Sequence, residues 1–222
     1  MAGGLTIDSR SLFPERDAEP QVILTPAKHD GASVVLYPHF ASTTEAEKWM
    51  TALTTELDWA QRSITIFGKR HLQPRLVAWH GDAGVRYRYS GQTLSAEGWS
   101  DALRIIRERC ETETGHRFNS VLCNLYRDGN DAMGWHADNE PELGSHPVIA
   151  SVSLGCARRF DLRHKKSGET HRIPLPAGSL LVMAGSTQQH WVHQVPRTKK
   201  VGEARINLTF RHIEAPVSPV PT

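Results

Sequence analysis

The chain has 222 residues, 39% hydrophobic and 23% charged, with a formal net charge of +2, which suits one globular domain and permits nucleic-acid binding without arguing for it. No apolar run approaches the roughly 18 residues needed to span a bilayer, and the N-terminal MAGGLTIDSRSLFPERD lacks the apolar stretch of a signal peptide. A soluble, intracellular protein is expected, cytoplasmic in a bacterium and nuclear in a eukaryote, and the odd, unrelated spacing of Cys110, Cys123 and Cys156 excludes a disulfide framework or zinc knuckle.

Residues 1–30 contain Pro and Gly without clear periodicity and read as an extended N-terminal arm. A short strand follows at Ser33–Tyr37, then a helix from about Thr44 to Ala60. Thr43 or Thr44 is its expected N-cap, and Trp49, Leu53 and Leu57 form its buried stripe. Ile64–Phe67 is strand-like and enters the basic turn Gly68-Lys69-Arg70. Phe67 is either core or a probe pushed into a nucleic-acid stack. Tyr87 and Tyr89 alternate onto one face in YRYSG. A second helix is expected over about Ala96–Glu113, capped by Ser95, with Trp99, Leu103, Ile106 and Cys110 inward and Gly115 ending it. Beyond Phe118 the pattern changes to short β runs near Ser120–Tyr126, Trp135–Asp138, Val148–Leu154, Arg159–Arg163, His171–Leu175, Ser179–Met183, Gln189–Val195 and Ala204–His212. An α+β, mainly β domain over 31–213 is predicted, a jelly roll buttressed by two N-terminal helices. The Pro-rich stretch 214–222 reads as a disordered tail.

Three constellations carry chemistry. His136 and Asp138 are two apart in GWHAD, so on an extended strand both side chains leave one face. A second histidine would complete two imidazoles and one carboxylate with open positions opposite, an arrangement suited to non-haem Fe(II). His190 and His193 compete for that place, with His146, His164, His171 and His212 more remote, and spacing alone does not choose. Asn124 and Tyr126 alternate onto one face of their strand, where a ligand carboxylate or a buried water could satisfy them. In RINLTFR, Arg205, Asn207, Thr209 and Arg211 face one way and Ile206, Leu208 and Phe210 the other. Uncompensated buried arginines are costly, so a small dicarboxylate between them is expected. The competing reading is an exposed edge strand with solvated arginines.

The segments IFGKRH, QPRLVAWHGDAG, YRYSG, FNSVLCNLYRDGNDAMGWHADNEPELG, IASVSLG, SLLVMAGSTQQHWVH and RINLTFR, in this order, resemble the AlkB-like Fe(II)/2-oxoglutarate-dependent dioxygenases, in the branch that reverses alkylation damage on nucleic-acid bases. The resemblance implies a double-stranded β-helix, with His136, Asp138 and His193 as iron ligands and His190 a bystander. It places 2-oxoglutarate on Asn124, Tyr126, Arg205, Asn207 and Arg211. It puts a flipped base near Tyr87, Tyr89 and Ser90, stacked between Tyr89 and His136, with Glu140 at its polar edge. Phe67 and Arg75 match positions that fill or flank the gap left in the duplex. The implied reaction is oxidative demethylation of 1-methyladenine and 3-methylcytosine type lesions in DNA, using Fe(II), O2 and 2-oxoglutarate and releasing formaldehyde, succinate and CO2. A monomer acting on DNA or RNA, away from membranes, is expected. Trp135 and Asn139 depart from the residues of other members, which leaves base and strand preference open. The alternatives are the same chemistry on RNA or a non-nucleic-acid target, and a non-catalytic nucleic-acid-binding jelly roll. Two inward arginines beside a metal triad count against the last.

Overall fold

The computed structural model describes residues 19–66, 69–89 and 92–214, with the side chains of 64–70 and 86–95 outside that description. Among these residues two large antiparallel sheets dominate. The larger runs in the order β1 (Gln21–Leu24), β2 (Ala32–Tyr37), β13 (Ser179–Gly185), β10 (Ile149–Gly155), β15 (Arg205–Arg211), β8 (Ser120–Tyr126) and β5 (Leu76–Gly81). The smaller orders β12 (Thr170–Leu175), β11 (Arg158–His164), β14 (Trp191–Val195) and β9 (Met133–His136). Two hairpins, β3 (Ser63–Ile66) with β4 (Lys69–Leu72) and β6 (Arg86–Tyr89) with β7 (Gln92–Ser95), stand apart from both.

Two apolar layers hold these pieces together. Helices α1 (Thr43–Glu56) and α2 (Asp101–Thr114) lay Trp49, Leu53, Leu103, Ile106 and Cys110 on the outer face of the larger sheet, against Val152, Ile206, Leu208 and Phe210. Between the sheets, Leu36, Ile149, Leu181 and Met183 meet Phe160, Leu162, Ile173 and Trp191. Every residue of β15 is therefore buried, because one face meets the helices and the other meets the gap between sheets. The edge-strand reading of RINLTFR is excluded, since β15 is flanked by β10 and β8.

Several boundaries differ from the sequence reading, each for a physical reason. Ser42, not Thr43 or Thr44, caps α1, because its hydroxyl accepts from Glu45 N while Glu45 Oε2 accepts from Ser42 N at 2.9 Å. The helix stops at Glu56, and Ala60 instead pairs with Val77. α2 begins five residues later than expected, capped by Ser100, while Ser95 closes β7. Trp99 keeps helical phase with Leu103 but lies outside the helix, its ring parallel to Phe210 at 6.3 Å and its indole N–H donated to Asp82 at 2.7 Å. Gly115 ends α2 as expected, in the left-handed conformation at φ 69°.

The proposed arm is tied down at its inner end. Gln21–Leu24 pairs antiparallel with β2, and Leu24 is fully buried. At the other end Glu214 N donates to Glu142 O at 2.8 Å, and 215–222 lie outside the described residues. The β1–β2 turn closes tightly on the end of β13. A Cβ at Gly185 would lie 2.2 Å from the carbonyl oxygen of Gly31, so only glycine fits there. Cys110 and Cys123 are buried free thiols whose pKa values burial pushes up, in keeping with inert core roles.

Candidate active site

The site opens where β9 and β14 of the smaller sheet face β8, β15 and β10 of the larger. β9 ends at His136, two residues short of the expected strand, so Asp138 lies beyond it. The shared-face argument from one continuous strand therefore fails, although its result survives. His193 on β14 pairs directly with His136 across the ladder, and their ring centroids are 4.2 Å apart. Asp138 curls back to them under two fixed contacts. Its backbone N–H donates to Gln188 Oε1 at 2.9 Å, and Arg211 Nη2 lies 2.9 Å from its Oδ1. The carboxylate then stands 3.8 Å from His136 Nε2 and 3.9 Å from His193 Nε2. One donor atom from each of the three residues falls within 4.8 Å of the others.

Protonation favours ligation. Burial by itself would raise the Asp138 carboxyl, but Arg211 first and then His193 and His136 hold it well below the usual carboxylate range. Burial, reinforced by His136, pushes His193 down to about 3 against the opposing pull of Asp138. A carboxylate anion thus faces a neutral imidazole at neutral pH, the forms that bind metal. His136 turns Nδ1 toward the Gly134 carbonyl at 2.8 Å, which aims Nε2 into the cluster. His190 belongs elsewhere: it ends the short helix α3 (Thr187–His190), with its ring 6.3 Å from that of His164.

Behind the triad the pocket is lined by Asn124, Tyr126, Arg205, Asn207 and Arg211, so all five residues expected around a co-substrate share one cavity. Antiparallel register explains this, because Arg205 pairs with Tyr126, Asn207 with Asn124 and Arg211 with Ser120. Two serines spaced by two on β10, of which Ser151 lines the pocket, hold these side chains. Arg205 Nη2 donates to Ser153 Oγ at 2.9 Å, and Asn207 Nδ2 donates to Ser151 Oγ at 2.8 Å. The Arg205 guanidinium also lies over the Tyr126 ring at 5.2 Å. It is 1% exposed, and its Nε and Nη1 are buried without a hydrogen-bond partner among the described residues. Burial accordingly lowers its pKa from the ordinary value. A buried cation with spare donors is complementary to a carboxylate.

Arg75, expected to flank the gap in the duplex, is turned inward. It is 4% exposed rather than free to touch a duplex, and its Nε donates to Asn124 Oδ1 at 2.7 Å. Glu140 is half-buried ahead of the turn Pro141–Leu143 and does not line this pocket. The side chains of Phe67, Tyr87, Tyr89 and Ser90 lie outside the described residues. Sequence reasoning missed Gln188, Ser151, Ser153 and Phe160, whose ring stacks on His193 at 5.2 Å. Only the serines left a signal, two hydroxyls two residues apart in IASVSLG.

Comparison with known proteins agrees with this geometry. Residues 33–211 match the family model of the 2OG-Fe(II) oxygenase superfamily. The human protein "Alpha-ketoglutarate-dependent dioxygenase alkB homolog 3" is 40% identical over 210 residues, 90% of this chain and 72% of the relative. Human "DNA oxidative demethylase ALKBH2" is 44% identical over 180 residues, 76% of this chain and 69% of the relative. A solved structure of OsALKBH1 superposes with a TM-score of 0.54 at 16% identity, covering 81% of this chain and 96% of that one, and supports the fold alone. The chain belongs to the 2OG-Fe(II) oxygenase superfamily, among its AlkB-like members, and is a 2-oxoglutarate-dependent dioxygenase that works with Fe(II) and O2.

Proposed function

We propose that the chain oxidatively demethylates N-alkylated bases in nucleic acid, with 1-methyladenine and 3-methylcytosine type lesions in DNA as substrates. The observation that carries this reading is the convergence of His136, Asp138 and His193 beside a pocket holding Arg205 with spare buried donors. The direction toward DNA comes from the ALKBH2 relatives, whose name states that activity.

The residues fit both absent groups. Two neutral-capable imidazoles and an anionic carboxylate within 4.8 Å of each other are a donor set for Fe(II). Bound iron with 2-oxoglutarate supplies the activation of O2 and the oxidation of an N-methyl carbon, with formaldehyde, succinate and CO2 as products. The chain does the rest. His136, Asp138 and His193 would hold the metal on one side and leave the other open. Arg205 and Arg211, with Asn124, Tyr126 and Asn207, would take the carboxylates and oxygen of the co-substrate, with Arg205 as one carboxylate clamp. Arg75 and Ser151 fix the amides of Asn124 and Asn207 in advance. Leu122, Phe160 and Met183 line the same cavity and exclude water from it.

On this reading the two sheets are the double-stranded β-helix of the family. The target base leaves its stack for the site, at a cost of about a few kcal/mol that is least for a lesion with blocked pairing. Tyr87, Tyr89, Ser90 and Glu140 would receive it, with Tyr89 and His136 on its two faces and Phe67 at the vacated place in the duplex. Formaldehyde release from methylated oligonucleotides, single- and double-stranded, DNA and RNA, beside a methylated peptide, tests the proposal. Turnover of 1-methyladenine and 3-methylcytosine DNA, lost in a folded His136→Ala variant, is expected. Release from the peptide alone, or full release by His136→Ala, would overturn it.

A further inference from the structure

A second group of metal-type donors lies away from the pocket. His29, in the turn between β1 and β2, meets Glu169 and His171 at the start of β12, and one donor atom from each falls within 4.8 Å of the others. Glu169 Oε1 stands 2.8 Å from His171 Nε2 and 3.8 Å from His29 Nε2. Zinc bonds of about 2.0–2.1 Å in a tetrahedron put neighbouring donors about 3.4 Å apart. The two distances straddle that value, and Glu169, half-exposed, can swing to equalise them.

The histidines are presented, not scattered. His29 Nδ1 lies 3.0 Å from both the carbonyl oxygen and the N–H nitrogen of Thr25, which fixes the ring with Nε2 toward Glu169. In the tautomer that carries its proton on Nδ1, the carbonyl contact is the orienting bond that metal-bound histidines make with their other ring nitrogen. The turn carrying His29 is itself fixed. Ser186 donates its hydroxyl to the Asp30 carbonyl, Ser186 N donates to Gly31 O at 3.2 Å, and Asp30 holds a left-handed φ of 52°. Beneath the cluster the buried Trp191 ring meets His29 at 6.0 Å and His171 at 5.6 Å, so one side is closed to water. The other side is open, since Glu169 and His171 are 47% and 29% exposed. Ladder register separates this place from the first site. His171 pairs with Leu162 and Leu162 with His193, so the two lie two strand spacings apart, about 10 Å.

We propose that His29, Glu169 and His171 form a second divalent-metal site, of the His2Glu type that takes Zn2+ with water as the remaining ligand, pinning the β1–β2 turn to β12. No redox or bond-making step is involved; the ion acts as a clasp. Its occupation stabilises the folded chain by mass action.

The test counts zinc on the metal-stripped 222-residue chain by calorimetric titration, with metal content checked after desalting. Wild type should take two equivalents, because zinc also enters the His136 centre, and His136→Ala should keep one. His171→Ala and Glu169→Gln should each weaken that remaining equivalent by at least about tenfold, by analogy with losses at supporting residues, while demethylase turnover with saturating Fe(II) is unchanged. Zinc should also raise the melting temperature of His136→Ala but not of His136→Ala/Glu169→Gln. The partly exposed Glu169→Gln keeps the test usable if His171→Ala fails to fold. A single equivalent on wild type, lost in His136→Ala, would overturn the proposal, as would zinc binding indifferent to Glu169→Gln and His171→Ala. Neither result bears on the iron chemistry, which formaldehyde release reports separately.

Discussion

Arg205→Met separates what the pocket costs from what it binds. The side chain is 1% exposed, donates to Ser153 Oγ, lies over the Tyr126 ring, and keeps Nε and Nη1 without a hydrogen-bond partner among the described residues. Each unsatisfied buried donor costs about 1–3 kcal/mol, whereas the Ser153 bond and the cation–ring contact each return only about 1–2 kcal/mol. Methionine fills most of the same volume without charge. The ligand-free variant should therefore be at least as stable as wild type, and up to about 1–4 kcal/mol more stable, as when buried ion groups give way to apolar ones. Binding should move the other way. Loss of two charge-assisted bonds at about 1.5–3 kcal/mol each should weaken 2-oxoglutarate by roughly 10²–10⁴-fold. Urea unfolding of the ligand-free protein and 2-oxoglutarate titration on the Mn2+-loaded, oxygen-stable form read the two effects. A variant that loses more than about 2 kcal/mol of stability yet binds 2-oxoglutarate normally would show that Arg205 is a structural residue and refute the reasoning.

Other outcomes follow from the same geometry. Gln188→Leu keeps volume but removes the acceptor of the Asp138 N–H, so metal affinity should fall about 10–100-fold, measured by Mn2+ titration; an unchanged affinity would dismiss Gln188 as an orienting residue. Leu208→Ala empties a fully buried position on the helix-facing side of β15 and should cost about 2–5 kcal/mol in urea unfolding, with the 2-oxoglutarate affinity of the folded protein intact. For Asp131, burial favours the protonated carboxyl, but hydrogen bonds from Arg127 outweigh it and lower the pKa. A depressed carboxyl stabilises above its unfolded value and loses that contribution as pH falls through the folded one. Asp131→Asn should therefore be less stable than wild type at neutral pH, and the gap should narrow as pH falls through the lowered folded-state value.

Where a strand has two chemically different faces, its pattern could be read directly. RINLTFR alternates charge with apolar bulk; the apolar half packs in the helix-facing core and the polar half lines the cavity. β5 gave no such signal because it is buried nearly throughout, leaving no polar phase to detect. β1 was hidden because its neighbours are Pro-rich and its partner β2 is not adjacent in pattern. The start of α2 was misplaced because Trp99 packs on Phe210 from outside the helix while matching its spacing. Within the site, ligand identities depended on cross-strand register, which spacing does not encode: His193 rather than His190 faces His136 only because β14 begins after α3. Nothing in PRLVAW announces that the Arg75 guanidinium turns inward to Asn124.

The two-sided burial of β15 has a further result. Slipping this strand by one residue between β10 and β8 would deliver Arg205, Asn207, Thr209 and Arg211 to the helices and Ile206, Leu208 and Phe210 to the cavity. Both layers would be ruined together, so the polar lining of the cavity and the helix-facing core are decided by a single alignment. The chain cannot become well folded first and acquire its acceptor niche later; any molecule that passes one threshold has already passed the other.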